Sequence, residues 1–115
     1  MIGHPKHVHK ACAAGADIII AQGGEAGGHT GDIATSVLIP ACADVCKQYT
    51  SPITGKSVVL VAAGGINDGR SVASALMLGA SGVWVGTRFI SSVESKAPKS
   101  FKEEYVFLYL SLIHI

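Results

Sequence analysis

The sequence predicts an α/β fold built on a parallel sheet, and three observations predict it. Three runs, Ile18-Ile19-Ile20-Ala21, Val58 to Ala63 and Gly82-Val83-Trp84-Val85, are continuously apolar rather than alternating. That is the pattern of parallel strands covered on both faces. Helical segments lie between the runs, the order that brings parallel strands together through right-handed crossovers. Each run also ends in a glycine turn, Gly23-Gly24, Gly64-Gly65 or Gly86-Thr87. Chemistry in such sheets gathers at the carboxyl ends of the strands.

The elements follow in order. His4 to Gly15 reads as a short helix, with Pro5 in its first turn and Gly15 in the left-handed position after its last. Val8, Ala11 and Cys12 supply its buried face. His4 and His7 could share a face, but no carboxylate or cysteine joins them at ligand spacing, so they read as solvated histidines and no metal site is expected. The first strand, Ile18 to Gln22, comes next. Thr35 to Cys46 reads as a helix with a Thr-Ser capping pair and a face of Val37, Leu38, Ala41 and Val45. Pro40 is expected at the start of its regular part, because farther inside it would remove a backbone hydrogen bond. Tyr49 to Ser57 is a polar surface connection. The second strand runs from Val58 to Ala63, and Asp68 is placed to cap a helix over Arg70 to Leu78 that Gly79 closes. Its expected core face is Val72, Ala73, Leu76 and Met77. The third strand follows Ala80-Ser81, with Trp84 read as structural. A weak repeat supports the alternation, since Ala14-Gly15-Ala16 matches Leu78-Gly79-Ala80.

Composition narrows the function. The 115 residues are 49% hydrophobic and 15% charged, with a net charge of +1. Nothing in that balance argues for nucleic acid or an anionic membrane surface. No apolar run reaches the roughly 18 to 20 residues of a bilayer span, and the N-terminus lacks the apolar core of a secretory signal. Cys12, Cys42 and Cys46 are odd in number and form no Cys-x-x-Cys pair, so Cys42 and Cys46 read as small buried apolar residues. An intracellular, cytoplasmic setting is the expectation.

Two stretches carry chemistry. Gln22-Gly23-Gly24-Glu25-Ala26-Gly27-Gly28-His29-Thr30-Gly31 puts a histidine on a glycine-dense loop after the first strand. The backbone there can approach a ligand closely, and His29 has the setting of an acid/base group. The bland alternative is a flexible loop with a solvated histidine. Gly64-Gly65 lies just before a helix start, where backbone N–H groups and the helix dipole favour an anion. Gly86-Thr87 adds N–H groups and a hydroxyl after the next strand. Loops after two neighbouring late strands commonly bind phosphate in (β/α)₈ barrels; the competing reading is that these glycines only make tight turns.

With these stretches in hand, the chain resembles the nitronate monooxygenases, formerly 2-nitropropane dioxygenases. Ala21 to Gly31 is similar to the family's histidine motif, and Val61 to Ile66 and Val85 to Phe89 look like its two FMN-phosphate turns. The resemblance implies an FMN-dependent (β/α)₈ TIM barrel. It implies that His29 takes a proton from the carbon beside a nitro group, that Gln22, Gly23 and Gly24 lie along the flavin, and that Gly64, Gly65, Gly86 and Thr87 hold its phosphate. The implied partners are a small nitroalkane or nitronate and O₂. FMN-dependent enoyl-acyl-carrier-protein reductases carry a very similar run and are the competing enzyme. A flavin- or phosphate-binding remnant without catalysis is the competing reading of another class.

A barrel takes about 250 residues, so this chain is expected to hold roughly its C-terminal half, with a trace of a fourth strand at Met1-Ile2-Gly3. Residues 1–98 are read as a partial FMN-binding barrel domain and 99–115 as a tail outside the family. The missing half would belong to a longer parent chain. A fragment of this kind is expected to leave two strand edges and much apolar surface uncovered.

Overall fold

The computed structural model describes residues 1–28 and 30–112, with side chains as far as Val106. The chain divides into two compact units, Met1–Val85 and Gly86–Ile115.

The first unit is a three-stranded parallel sheet with three helices. Helix α1 (Pro5–Ala13) starts where the ring of His4 accepts from the Lys6 N–H at 3.0 Å, so His4 is a cap. It stops at Gly15, whose φ of +89° only glycine adopts freely. Strand β1 (Ile18–Gln22), helix α2 (Thr35–Cys46), strand β2 (Val59–Ala63), helix α3 (Gly69–Met77) and strand β3 (Gly82–Trp84) follow. The strand order is β1-β2-β3, and both pairings are parallel. Ile2 forms a parallel bridge to Ala21 through Ile2 N–H to Ile20 O and Gln22 N–H to Ile2 O, each 2.8 Å. The expected trace of a fourth strand is therefore present on the outer side of β1.

Within the first unit the sheet is covered on one face only, so the two-sided cover that its strands suggest is absent and apolar surface is left open as a partial barrel predicts. Ile19, Ala21, Leu60 and Ala62 are buried against the helices, whereas Ile18, Ile20, Val59 and Val61 on the opposite face are less buried. The register pairs Ala63 with Trp84, putting Trp84 on that open face, 56% exposed. A continuous apolar run marks a strand made for two layers; among the described residues of the first unit only the helical layer is present.

The helix faces also differ from the sequence reading. In α2 the buried residues are Leu38, Ile39, Cys42, Ala43 and Cys46, and Val37 is exposed. The helix is wedged between the sheet and α1, so the stripe through Leu38, Cys42 and Cys46 faces inward. Burial raises the thiol of Cys42 to about 11 and that of Cys46 to about 12, the behaviour of small apolar core residues. Pro40 lies inside α2 rather than at its start. In α3 the inward stripe is Val72, Ala75 and Leu78, and Met77 is 87% exposed. Both mistaken faces contain the right number of apolar residues at helical spacing; the sheet decides which stripe is used.

The connection after α2 is tied down by Ser51, which is 1% exposed and hydrogen-bonds the Asp17 carboxylate, while the Ile53 N–H donates to the same carboxylate at 3.2 Å. In the second unit a single 3₁₀ turn (Thr87–Phe89) precedes α4 (Lys99–Leu112). The Lys102 ammonium donates to the carbonyls of Ser92 at 2.7 Å and Ser95 at 2.8 Å, closing the segment before that helix. No helix among the described residues is long and apolar enough to cross a membrane.

Leu38→Ala empties a site with no exposed surface and is expected to destabilise the protein by about 2–5 kcal/mol. Met77→Ala is expected to change stability by less than about 0.5 kcal/mol. Chemical denaturation of the two variants measures the difference.

Candidate functional site

The carboxyl edges of β1 and β2 carry two loops that interlock. The glycine-rich loop leaves β1 at Gln22, and its first bond, Gly23 N–H to Ala63 O at 3.0 Å, continues the ladder to β2. Gln22 is 7% exposed and its side-chain amide donates across the loop to Gly27 O at 3.0 Å. Gly24 N–H donates to Ile33 O at 2.9 Å, and Gly31 lies so close to Gly3 that a Cβ there would come within 2.2 Å of the Gly3 carbonyl. The loop is thus fixed on both sides of position 29. His29 itself lies outside the described residues.

Glu25 is the centre of this arrangement. Helix α2 begins after Ala34, which has no capping side chain, so the expected Thr-Ser cap is not what closes the helix. Glu25 does so from the loop. Its two carboxylate oxygens accept from Thr35 N–H at 2.9 and 3.1 Å, and one of them also accepts from the Thr35 hydroxyl at 2.7 Å. A carboxylate at a helix N-terminus satisfies orphan N–H groups and complements the helix dipole. Partial burial works to raise the Glu25 pKa, but the hydrogen bonds from Thr35 outweigh it and hold the group below the ordinary carboxylate range. Glu25 thereby orients the loop from the start of α2.

Thr35 reaches a second partner, since the Gly64 carbonyl lies 3.1 Å from its hydroxyl. The single hydroxyl proton is shared between this carbonyl and the closer Glu25 oxygen. Gly64 and Gly65 both hold positive φ, +100° and +69°. A Cβ on Gly64 would come within 3.1 Å of the Gly23 backbone, and one on Gly65 within 3.3 Å of Glu25 Cβ. A Cβ on Gly23 would fall 2.1 Å from the Thr35 hydroxyl and 2.7 Å from Thr35 Cα. Packing of one turn against another therefore accounts for Gly23, Gly64 and Gly65 in this chain.

The anion-binding expectation is redrawn in detail. At the start of α3, Asp68 accepts from Arg70 N–H and Ser71 N–H, each at 3.0 Å, while the Ser71 hydroxyl accepts from the N–H groups of Asn67 and Asp68. The Ser71 N–H and then the Arg70 guanidinium, 2.6 Å away, hold the Asp68 carboxyl down at about 2. The helix N-terminus is thus occupied by its own capping box. Among the described residues, the N–H groups of Gly64, Gly65 and Ile66 have no partner in the chain. Those three groups, on a turn of left-handed glycines, fit a phosphate better than the helix end does. Beside them a cleft of about 220 Å³ runs between Glu25, Thr35, Ile66, Ser74 and Leu78. Gly86 and Thr87 belong to the second unit, where Gly86 precedes the 3₁₀ turn and a Cβ on it would meet open space.

Comparison with known proteins places this geometry in context. The family model described as nitronate monooxygenase matches residues 1–111. A nitronate monooxygenase of Neurospora crassa is 46% identical over 99 residues, covering 85% of this chain and 26% of that protein. A (3aS,4S,5R,7aS)-5-hydroxy-7a-methyl-1-oxo-octahydro-1H-indene-4-carboxyl-CoA dehydrogenase of Mycobacterium tuberculosis is 45% identical over 105 residues, covering 91% and 28%. Among solved structures, FabK from Thermotoga maritima superposes with a TM-score of 0.76 at 38% identity, covering 90% of this chain and 30% of that one. The chain spans less than a third of the length of these proteins.

Two outcomes test the interlock. Gly23→Ala is expected to lower the melting temperature by several degrees, about 1–3 kcal/mol of overpacking, whereas Gly27→Ala, with nothing within 4 Å of the new methyl, changes it little. Glu25 and Asp68 both have depressed folded pKa values, from 4.5 for Glu25 and from 3.8 to about 2 for Asp68. Their contribution to stability is complete above those unfolded values and is lost as pH falls through the folded ones. The combined variant Glu25→Gln with Asp68→Asn is therefore expected to flatten the acid side of a melting-temperature profile measured downward from about pH 5.

Proposed function

Because the chain belongs to the nitronate monooxygenase family, we propose that it is a segment of a (β/α)₈ barrel from an FMN-dependent oxidoreductase that oxidises alkyl nitronates or nitroalkanes with O₂. The observation that carries this reading is the meeting of the His29 loop and the Gly64-Gly65 turn at the carboxyl edge of β1 and β2. An acid/base residue and a phosphate anchor on one sheet edge suit a cofactor enzyme in which the protein moves a proton and the cofactor accepts electrons.

In this reading the N–H groups of Gly64, Gly65 and Ile66 hold the cofactor phosphate. Gln22, Gly23 and Gly24 border the flavin by shaping the loop, since the Gln22 amide and the Gly23 and Gly24 N–H groups donate within the chain. Bound FMN would supply the electron acceptor that returns electrons to O₂. His29 takes the proton from the carbon next to the nitro group, leaving the nitronate and an imidazolium; a histidine pKa near neutral suits that task. The remaining strands would come from a longer parent chain, pairing at the free edges of the sheet so that the open face of β1, β2 and β3 becomes barrel interior.

A second reading has its own support. The 45% identity to a carboxyl-CoA dehydrogenase favours a thioester-linked substrate, and with it the FMN-dependent enoyl-acyl-carrier-protein reductase as the competing enzyme. A flavin-binding segment without catalysis is the third.

Anaerobic flavin reduction in the parent protein separates the three. Reduction by a nitronate and not by NADH or NADPH is the expected result; rapid reduction by the nicotinamide supports the reductase, and failure to retain FMN supports the non-catalytic segment. His29→Asn is expected to spare FMN binding and to slow turnover of a neutral nitroalkane by about 10²–10⁴-fold, measured as kcat by oxygen consumption.

A further inference from the structure

The bond between the two loops assigns a role to a residue that carries no chemistry of its own. We propose that Thr35 is a positioning residue that couples the Gly64-Gly65 turn to the loop bearing His29. This rests on the reading of His29 as the base and of the Gly64-Gly65 turn as the phosphate anchor.

Three features support the assignment. Thr35 is the only residue in hydrogen-bond contact with both loops among the described residues: its hydroxyl meets Glu25 Oε2 at 2.7 Å and Gly64 O at 3.1 Å, and its N–H meets both Glu25 oxygens. The loop is held at Gly23 and Gly24 by backbone bonds and at Gly27 by the Gln22 amide, and Glu25 adds the side-chain tie to the start of α2. The contact is also crowded: a methyl at Gly23 would strike the Thr35 hydroxyl, so the loop cannot move toward α2 without displacing Thr35. A shift of the Gly64 carbonyl on binding a phosphate would change how Thr35 shares its proton, and Glu25 would follow. Acid/base groups are sensitive to this, because a displacement near 1 Å can slow proton transfer on the order of 10²-fold.

The test uses the full-length parent with FMN bound. Thr35→Val keeps the shape of the side chain and removes the hydroxyl, and Thr35→Ser restores it. Two substrates are compared, a neutral nitroalkane, which must be deprotonated, and its preformed nitronate, which need not be. The proposal expects Thr35→Val to lower kcat for the neutral nitroalkane by about tenfold to a hundredfold, to change that for the nitronate by less than about threefold, and Thr35→Ser to return both close to the parent values. Equal losses on both substrates would make Thr35 a merely structural residue and overturn the proposal, as would no loss on either. If Thr35→Val does not fold, Glu25→Gln removes the charge from the same contact and must give the same split. His29→Asn run alongside keeps the two ideas apart. If it slows the nitroalkane and Thr35→Val does not, only the coupling fails; if it slows neither substrate, the base assignment fails and the coupling falls with it.

Discussion

The hydrogen bonds between Glu25 and Thr35 carry the rest of the site. A glycine-rich loop has little to hold it, because its glycines bring no side chains and lose the most conformational freedom on ordering. Here a single carboxylate compensates, by taking over the N-terminal cap of α2 that Ala34 cannot provide. Helix and loop thus stabilise each other. The same contact reaches the Gly64 carbonyl, so the ends of two neighbouring strands become one rigid edge. Glycine is required at Gly23 because a Cβ would strike Thr35, and at Gly64 because its φ is positive and the Gly23 backbone lies against it.

The second constraint is the uncovered face of the sheet. Helices α1, α2 and α3 bury Ile19, Ala21, Leu60 and Ala62, while Ile18 and Trp84 on the other face are more than half exposed. Apolar side chains in that position contribute little until another layer meets them. A segment under a third of its relatives' length shows this geometry for a plain reason: a barrel's interior is made by strands from all around the ring.

Anion binding is the point on which the details changed most. The start of α3 looks like an anion site from sequence, with glycines before a helix. The capping box of Asp68 and Ser71 uses those N–H groups, and Arg70 neutralises Asp68. The open N–H groups lie earlier, on the left-handed turn itself. An anion at this edge would therefore meet a backbone nest rather than the helix dipole.

The strands, their parallel pairing, the caps at Pro5, Gly15, Asp68 and Gly79, and the fourth-strand trace at Ile2 were all legible in the sequence. Each depends on local chemistry: continuous apolar runs, fixed φ, or a side chain that reaches its own backbone. The buried stripes of α2 and α3 were not legible, since apolar residues ring both helices and only the neighbouring layers choose among stripes. Nor was the cap of α2, which comes from Glu25, ten residues before Thr35. Local spacing cannot reveal a bond that exists only once two loops have been brought to the same edge. The sequence by itself determined which residues could make a helix, a strand or a glycine turn. The tertiary structure decided which of them touch, because contact between distant residues depends on the packing of the sheet and not on the order of the chain.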